Sequence, residues 1–243
     1  ELKINYTLET IAELKARLKA EEEGPHGYIE TNYQTIKEIF NESVEKFADR
    51  PFIYEKFNRK EGFKGITYGQ FGEDVMNFGE GLSKAFKLKD EKIMIIGETT
   101  YPWYVSYMAM LCGVGIAVPT DKELPDNELE NLVKRSDAAA IIYSPKKKDQ
   151  IKKIANKCPG VKYFIEMKSD YKIDGRFVGM DFVMQEGKIL REMGDNTFAN
   201  TEVDPEAFAV LLFTSGTTSA AKGVMLCNRN LAYNINAVNP FVY

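Results

Sequence analysis

The middle of the chain alternates short apolar runs with longer stretches of helical character. Four runs of strand-forming residues begin at residues 93, 116, 138 and 161. This alternation is typical of parallel strands joined by helices that cover both faces of a sheet. It predicts an α/β fold with a doubly wound, mainly parallel sheet. The predicted strands are Ile93–Ile96, Ile116–Pro119, Ala138–Tyr143 and Val161–Ile165, and the predicted helices lie near 102–112, 126–136 and 147–157.

Two amphipathic helices are predicted before this region. Residues 10–23 have apolar residues at helical spacing and stop at Gly24-Pro25. The second helix opens with a capping box that runs from Thr35 to Glu38 and ends before Pro51. Its apolar face consists of Ile36, Ile39, Phe40, Val44 and Phe47.

A β-hairpin and a third helix follow. The pattern predicts two strands separated by a polar turn, Phe52–Tyr54 and Gly65–Thr67. Thr67 and Gln70 have the spacing of another capping box. The helix that they open is predicted to bury Phe71, Val75, Phe78 and Leu82.

One uncharged run, from Thr99 to Thr120, is long enough to cross a bilayer. Two prolines and two glycines interrupt it, so a buried helix (Trp103–Cys112) followed by a buried strand (Ile116–Pro119) explains it better. We therefore expect no transmembrane segment.

The chain is predicted to have three parts. Residues 1–32 form an N-terminal helical extension, and residues 33–194 form a first α/β subdomain that ends with a helix over Phe182–Met193. Residues 195–243 begin with a linker and open a second α/β subdomain, because the polar stretch Gly194–Asp204 precedes a new buried strand, Ala209–Phe213.

Composition narrows the function classes. The 243 residues include 32 basic and 36 acidic side chains, and this balance argues against nucleic acid as a partner. The three cysteines lack metal-site spacing and are typical of a reduced, cytoplasmic protein. His26 is the only histidine, so a histidine base is poorly supported.

A cluster of lysines lies between residues 146 and 157. It could bind an anionic lipid surface or a polyphosphate, but a solvated helix face, with Ile151 and Ile154 pointing inward, is the favoured interpretation. The cluster consists of Lys146, Lys147, Lys148, Lys152, Lys153 and Lys157.

The segment from Leu211 to Val224 has the strongest chemical signal. A buried-type strand leads into a loop with five hydroxyl side chains, Gly216 and then Lys222. Hydroxyls and backbone N–H groups donate hydrogen bonds to phosphates, and a lysine offsets their charge. The spacing is neither that of a Walker A loop nor that of a dinucleotide-binding fingerprint. On chemistry alone, phosphate binding and an ordinary Ser/Thr-rich turn are equally supported.

The same segment resembles the signature loop of the AMP-forming adenylate ligases, which include acyl-CoA synthetases, luciferases and adenylation domains of peptide synthetases. The resemblance extends to Asp204-Pro205 before the strand and to Arg229-Asn230-Leu231 after it. Upstream segments, such as Pro102-Trp103-Tyr104, resemble those of long-chain acyl-CoA synthetases. Three positions depart from the common pattern: Ser219 replaces a glycine, Ala221 a frequent proline, and Asn228 a frequent histidine.

The resemblance implies a function and a site. In this family the loop holds the β- and γ-phosphates of ATP while a carboxylate attacks the α-phosphorus, with Mg²⁺ on the phosphates and CoA as the acceptor. It implies an ATP-dependent carboxylic acid:CoA ligase, with a fatty acid as the expected substrate and Lys222 and Thr217 as catalytic residues. The implied phosphate-binding residues are Thr214, Ser215, Gly216, Thr217, Thr218 and Lys222.

Alternatives remain open at this point. One is an enzyme that adenylates an aryl acid or an amino acid, and another is a non-catalytic relative that binds a nucleotide or a partner. Because members of the family are much longer, we expect this chain to be the N-terminal part of a ligase, catalytically incomplete without its C-terminal part. The expected partners are small molecules, and peripheral membrane contact stays open.

Overall fold

A computed structural model describes residues 31–58, 62–214 and 221–238. The helix predicted over residues 10–23 lies outside these ranges. Tyr33–Asn234 form one compact unit. The described helices are α1 (Ile36–Phe47), α2 (Tyr68–Glu80), α3 (Tyr101–Ala109), α4 (Asp126–Ser136), α5 (Lys148–Ala155), α6 (Met180–Glu192) and α7 (Asn228–Val238). The described strands are β1 (Pro51–Asn58), β2 (Gly62–Thr67), β3 (Lys92–Ile96), β4 (Ile116–Thr120), β5 (Ala140–Tyr143), β6 (Tyr163–Glu166), β7 (Phe177–Gly179), β8 (Phe208–Thr214) and β9 (Lys222–Cys227).

The central sheet confirms the predicted fold class. Its seven strands follow the order β7-β6-β5-β3-β4-β8-β9, and every described pair is parallel except β8 with β9. Side chains alternate between its two faces, as pleated strands require. Ile93 and Ile95 face one apolar core, which includes residues of α1, α2, α3 and α6. Met94 and Ile96 face a second core with residues of α4 and α5. The sheet is therefore doubly wound.

The structure confirms the predicted N-terminal caps of two helices. Thr35 caps α1 by accepting a hydrogen bond from the Glu38 amide at 3.2 Å, and Thr67 caps α2 by accepting one from the Gln70 amide at 3.1 Å. The return contacts differ from an ideal capping box, because the Glu38 carboxylate accepts from the Gln34 amide instead of that of Thr35. The predicted hairpin is β1–β2, an antiparallel pair longer than the prediction.

The uncharged run forms a helix followed by a strand, as predicted, and both are largely buried, although Tyr104 is exposed. Helix α3 continues through a π-helical turn, Met110–Val114, and leads into β4. Gly113, at a φ of 120°, allows the sharp change of direction between them. In the part of the chain that the structure describes, no helix is long and apolar enough to cross a membrane.

Two predicted strands shift and one strand is new. The runs from Ala138 and Val161 enter the sheet two residues later, at Ala140 and Tyr163. Strand β7 was absent from the sequence prediction, because it has only three residues and lies in a region of irregular pattern. It joins the sheet beside β6 and is followed directly by α6.

Buried charged residues hold the stretch predicted as a linker. The Lys37 ammonium donates to the carbonyl oxygens of Ala199 and Thr201 at 2.8 and 2.6 Å, and the Phe198 amide donates to the Glu80 carboxylate at 3.0 Å. Burial lowers the pKa of Lys37 and raises that of Glu80. The residues between α6 and β8 are thus fixed to α1 and α2, while the division of the chain near residue 194 stays a prediction.

The lysine cluster forms the solvated helix face that was favoured. Ile151 and Ile154 are buried in the second core, and several lysines pair with carboxylates. These pairs are Lys146–Glu98, Lys148–Glu166, Lys153–Asp126 and Lys157–Glu130.

Candidate phosphate site on the β8–β9 hairpin

Strands β8 and β9 place the two ends of the predicted phosphate loop next to each other. The antiparallel register pairs Thr214 with Lys222, and the Thr214 hydroxyl donates to the Lys222 carbonyl oxygen at 3.4 Å. Strand β8 pairs with the neighbouring β4 at a single position, Val210 with Ala117, so the hairpin extends beyond the rest of the sheet. The last residues of β8 therefore pair with β9 and not with β4.

Two of the six predicted phosphate-binding residues lie in the described part of the chain. Thr214 ends β8 and Lys222 begins β9, so the structure brings this hydroxyl and this lysine together. Ser215, Gly216, Thr217 and Thr218 lie outside the described residues, as does Ser219. Their assignment stays a prediction.

The chemistry of the two described groups fits a polyphosphate. The Lys222 side chain is exposed, and no carboxylate among the described residues lies within ion-pair distance of it. Thr214 is also exposed at the end of its strand. An exposed ammonium group that forms no ion pair among the described residues can bind phosphate oxygens without first breaking such a pair.

Arg135 is a site residue that the sequence analysis missed. It lies in the last turn of α4, and its Nη2 donates to the Ala221 carbonyl oxygen at 2.6 Å. Its guanidinium also covers the Phe213 ring, with 5.4 Å between Cζ and the ring centroid. No local pattern links α4 to a hairpin that follows it by 86 positions, so the sequence contained no signal for this contact.

Asn228, the residue that stands in place of a frequent histidine, has a structural role. It is buried, its Oδ1 accepts from the Ile36 amide at 2.8 Å, and its Nδ2 donates to the Leu111 carbonyl oxygen at 3.3 Å. Asn228 thus satisfies an N-terminal amide of α1 and connects it to the turn after α3. Both polar atoms of the Asn228 side chain thus bond to backbone groups of other elements, and neither bonds to Thr214 or Lys222.

The crevice between β3 and β5, where the strand order reverses, is an alternative place for a ligand in such a sheet. Here the two loops pack against each other, since a β-carbon on Gly97 would lie 2.5 Å from the Ser144 side chain. The Glu98 carboxylate pairs with Lys146 at 3.5 Å. The buried Ser144 hydroxyl has no hydrogen-bond partner among the described residues. The hairpin is the better candidate because it carries the exposed side chain of Lys222, a cation that can offset phosphate charge.

The chain is similar to known proteins in sequence and in fold. The family model of the AMP-binding enzymes matches residues 40–242. Among curated proteins, the chain is 23% identical to the long-chain-fatty-acid–[acyl-carrier-protein] ligase AEE15 of Arabidopsis thaliana, covering 87% of this chain and 30% of the relative. It is 25% identical to a long-chain-fatty-acid–CoA ligase of Escherichia coli, covering 85% of this chain and 39% of the relative. The chain thus spans between 30% and 39% of the length of these two relatives.

Solved structures share the fold. A putative long-chain-fatty-acid CoA ligase from Rhodopseudomonas palustris has a TM-score of 0.67 at 14% identity, over 84% of this chain and 47% of that one. The anthranilate CoA ligase AuaEII, solved with anthranoyl-AMP, has a TM-score of 0.66 at 15% identity, over 89% of this chain and 39% of that one.

The family match covers most of the chain and includes both strands of the hairpin. The fold agrees with that of adenylate-forming enzymes. The chain therefore belongs to the family of AMP-binding enzymes.

Proposed function

We propose that this chain is part of an ATP-dependent carboxylic acid ligase and that its β8–β9 hairpin binds the β- and γ-phosphates of ATP. The observation that carries the proposal is the pairing of Thr214 with Lys222 across the hairpin. It places a hydroxyl and an exposed ammonium group at the two ends of the Ser/Thr/Gly-rich segment. Family membership gives this arrangement its expected ligand.

The proposed reaction has two steps. A carboxylate oxygen attacks the α-phosphorus of ATP, the bond to the β-phosphate oxygen breaks, and pyrophosphate leaves as acyl-AMP forms. A thiol, that of CoA, then attacks the acyl carbon and releases AMP. Lys222 would offset the charge of the phosphates that leave in the first step. Thr214, whose hydroxyl donates to the Lys222 carbonyl oxygen, would hold the end of the strand that carries this lysine.

Mg²⁺ is proposed to reach the site bound to ATP, where it would neutralise part of the phosphate charge. In the described residues, no group of three or more His, Cys, Asp or Glu side chains could hold a metal ion. The part that we assign to this chain is the positioning and neutralisation of phosphates, because its hairpin carries Lys222.

The proposed acid is a fatty acid. The names of relatives from Arabidopsis thaliana, rat and Escherichia coli describe ligases of long-chain fatty acids. The solved anthranilate CoA ligase supports an aryl acid as the second candidate. Because the chain spans 30–39% of those relatives, we propose that turnover requires a further C-terminal part. We also propose a cytoplasmic location, although some relatives are chloroplastic by name.

Acid-dependent exchange of pyrophosphate into ATP tests the proposal on the full-length gene product. We expect exchange in the presence of a long-chain fatty acid and little with anthranilate or amino acids, because only the acid that enters the site can form an adenylate. Exchange with an aryl acid or an amino acid alone would replace the fatty acid in the proposal. No exchange with any acid, from a folded protein, would favour the non-catalytic relative.

A further inference from the structure

The distal end of the β8–β9 hairpin is tethered by one long-range side chain. This end comprises residues 211–214 and 221–225. Within the described ranges, Arg135 is the only residue outside the hairpin whose side chain hydrogen-bonds to it. The apolar contacts there run from Leu212 to the first core and from Leu211, Phe213 and Ala221 to the second core.

The Arg135 contact lies directly next to Lys222 in the chain. Arg135 donates to the carbonyl oxygen of Ala221, and Thr214 donates to the carbonyl oxygen of Lys222. The peptide groups on both sides of the Lys222 α-carbon are therefore held from outside that residue. Because two fixed peptide groups restrict the backbone angles between them, they also restrict the direction in which the lysine side chain leaves the strand.

We propose that Arg135 is a positioning residue for Lys222: it holds the Ala221 carbonyl while stacking on Phe213, and so fixes where the ammonium group meets phosphate. This inference rests on the proposed function. An arginine suits the role because its planar guanidinium can lie over a ring while its N–H groups donate hydrogen bonds in fixed directions. Arg135 is assigned no contact with substrate.

Two measurements on the 243-residue chain test this role with Arg135→Ala and Arg135→Lys. Lys134→Ala is the matched control, since it removes a positive charge from the same helical turn, where Lys134 pairs with Glu130 at 2.6 Å. The first measurement is the affinity for inorganic triphosphate by calorimetry. The second is hydrogen–deuterium exchange without ligand, compared between the distal hairpin amides and the amides of β3 and β5.

We expect Arg135→Ala to weaken triphosphate binding by about 3- to 10-fold, the scale of one hydrogen bond. Its distal hairpin amides should exchange faster while those of β3 and β5 keep their rates. Arg135→Lys should lie closer to Arg135→Ala than to the wild type, and Lys134→Ala should match the wild type in both measurements.

Three results would overturn the inference. Wild-type affinity in Arg135→Lys would mean that long-range charge alone matters. Unchanged exchange of the distal hairpin amides in Arg135→Ala would mean that the Arg135 contact does not hold the end of the strand. If Lys222→Ala still weakened triphosphate binding in that case, the proposed function would stand and only the role of Arg135 would fall. Failure of the wild type to bind triphosphate would remove the proposed function itself, and the role of Arg135 with it.

Discussion

Replacing Lys222 with alanine is expected to weaken the binding of inorganic triphosphate to this chain by about 10- to 100-fold. A hydrogen bond to a charged group contributes about 1.5–3 kcal/mol, and each 1.4 kcal/mol corresponds to about tenfold in affinity. The Lys222 side chain is exposed, and Lys222 is the first residue of β9, a strand at the edge of the sheet. Its removal should therefore leave the thermal midpoint of unfolding nearly unchanged. Calorimetric titration measures the affinity.

Lys152→Ala is the control for this experiment. Lys152 is an exposed lysine of the α5 cluster, so its loss changes the net charge equally. We expect wild-type affinity from this variant. If Lys152→Ala weakened binding as much as Lys222→Ala, phosphate would be attracted by general charge and the hairpin would have no special role.

Replacing Gly187 with alanine is expected to lower the free energy of unfolding by about 2 kcal/mol, the upper end of the overpacking range less the gain in helix propensity. Gly187 lies where α6 crosses α2, and a β-carbon there would overlap the carbonyl oxygen of Asn77 and lie 2.5 Å from the Gly81 amide nitrogen. Those two atoms form a backbone hydrogen bond at the end of α2. Overpacking costs about 1–3 kcal/mol and sometimes more, and here the opposing atoms are backbone. The gain in helix propensity, about 1 kcal/mol, offsets part of this cost.

Thermal denaturation measures this effect against Gly160→Ala. A β-carbon on Gly160 would meet nothing within 4 Å, so this control should stay within about 0.5 kcal/mol of the wild type. For a chain of this size, 2 kcal/mol corresponds to a drop of about 4–8 °C in the unfolding midpoint. Equal midpoints for the two variants would contradict the close packing of α2 against α6.

The sheet was predictable because its signals are local and repeated. The β3, β4, β5 and β6 segments are apolar because both faces of the strand are covered, and buried parallel strands have this composition wherever they occur. The caps at Thr35 and Thr67 were predictable because a hydroxyl accepts from an amide three residues ahead. Such contacts depend on spacing within one turn and on nothing farther along the chain.

The contacts that fix the hairpin and the stretch before it were not predictable. Lys37 reaches carbonyl groups more than 160 positions later, and Arg135 reaches Ala221 across 86 positions. Each of these residues reads as an ordinary charged residue of an amphipathic helix. Only the packing of α1 and α4 on the sheet brings them to their partners.

The candidate site was predictable in part. Thr214 and Lys222 were identified from the composition of the loop and from its resemblance to a family signature, and the structure pairs them. The resemblance also marked Asn228 as a departure at a position beside the loop. Its interior role depends on the Ile36 amide, 192 positions earlier, and no sequence pattern indicates this.

The most direct test of the central claim is amide chemical-shift mapping of the ¹⁵N-labelled chain during titration with inorganic triphosphate. If the hairpin is the phosphate site, the largest saturable shifts will fall on Thr214, Lys222 and Gly223, and Lys222→Ala will remove them. Shifts confined to the lysine-rich stretch 146–157, or no saturable shifts at all, would contradict the assignment of this hairpin as a phosphate site.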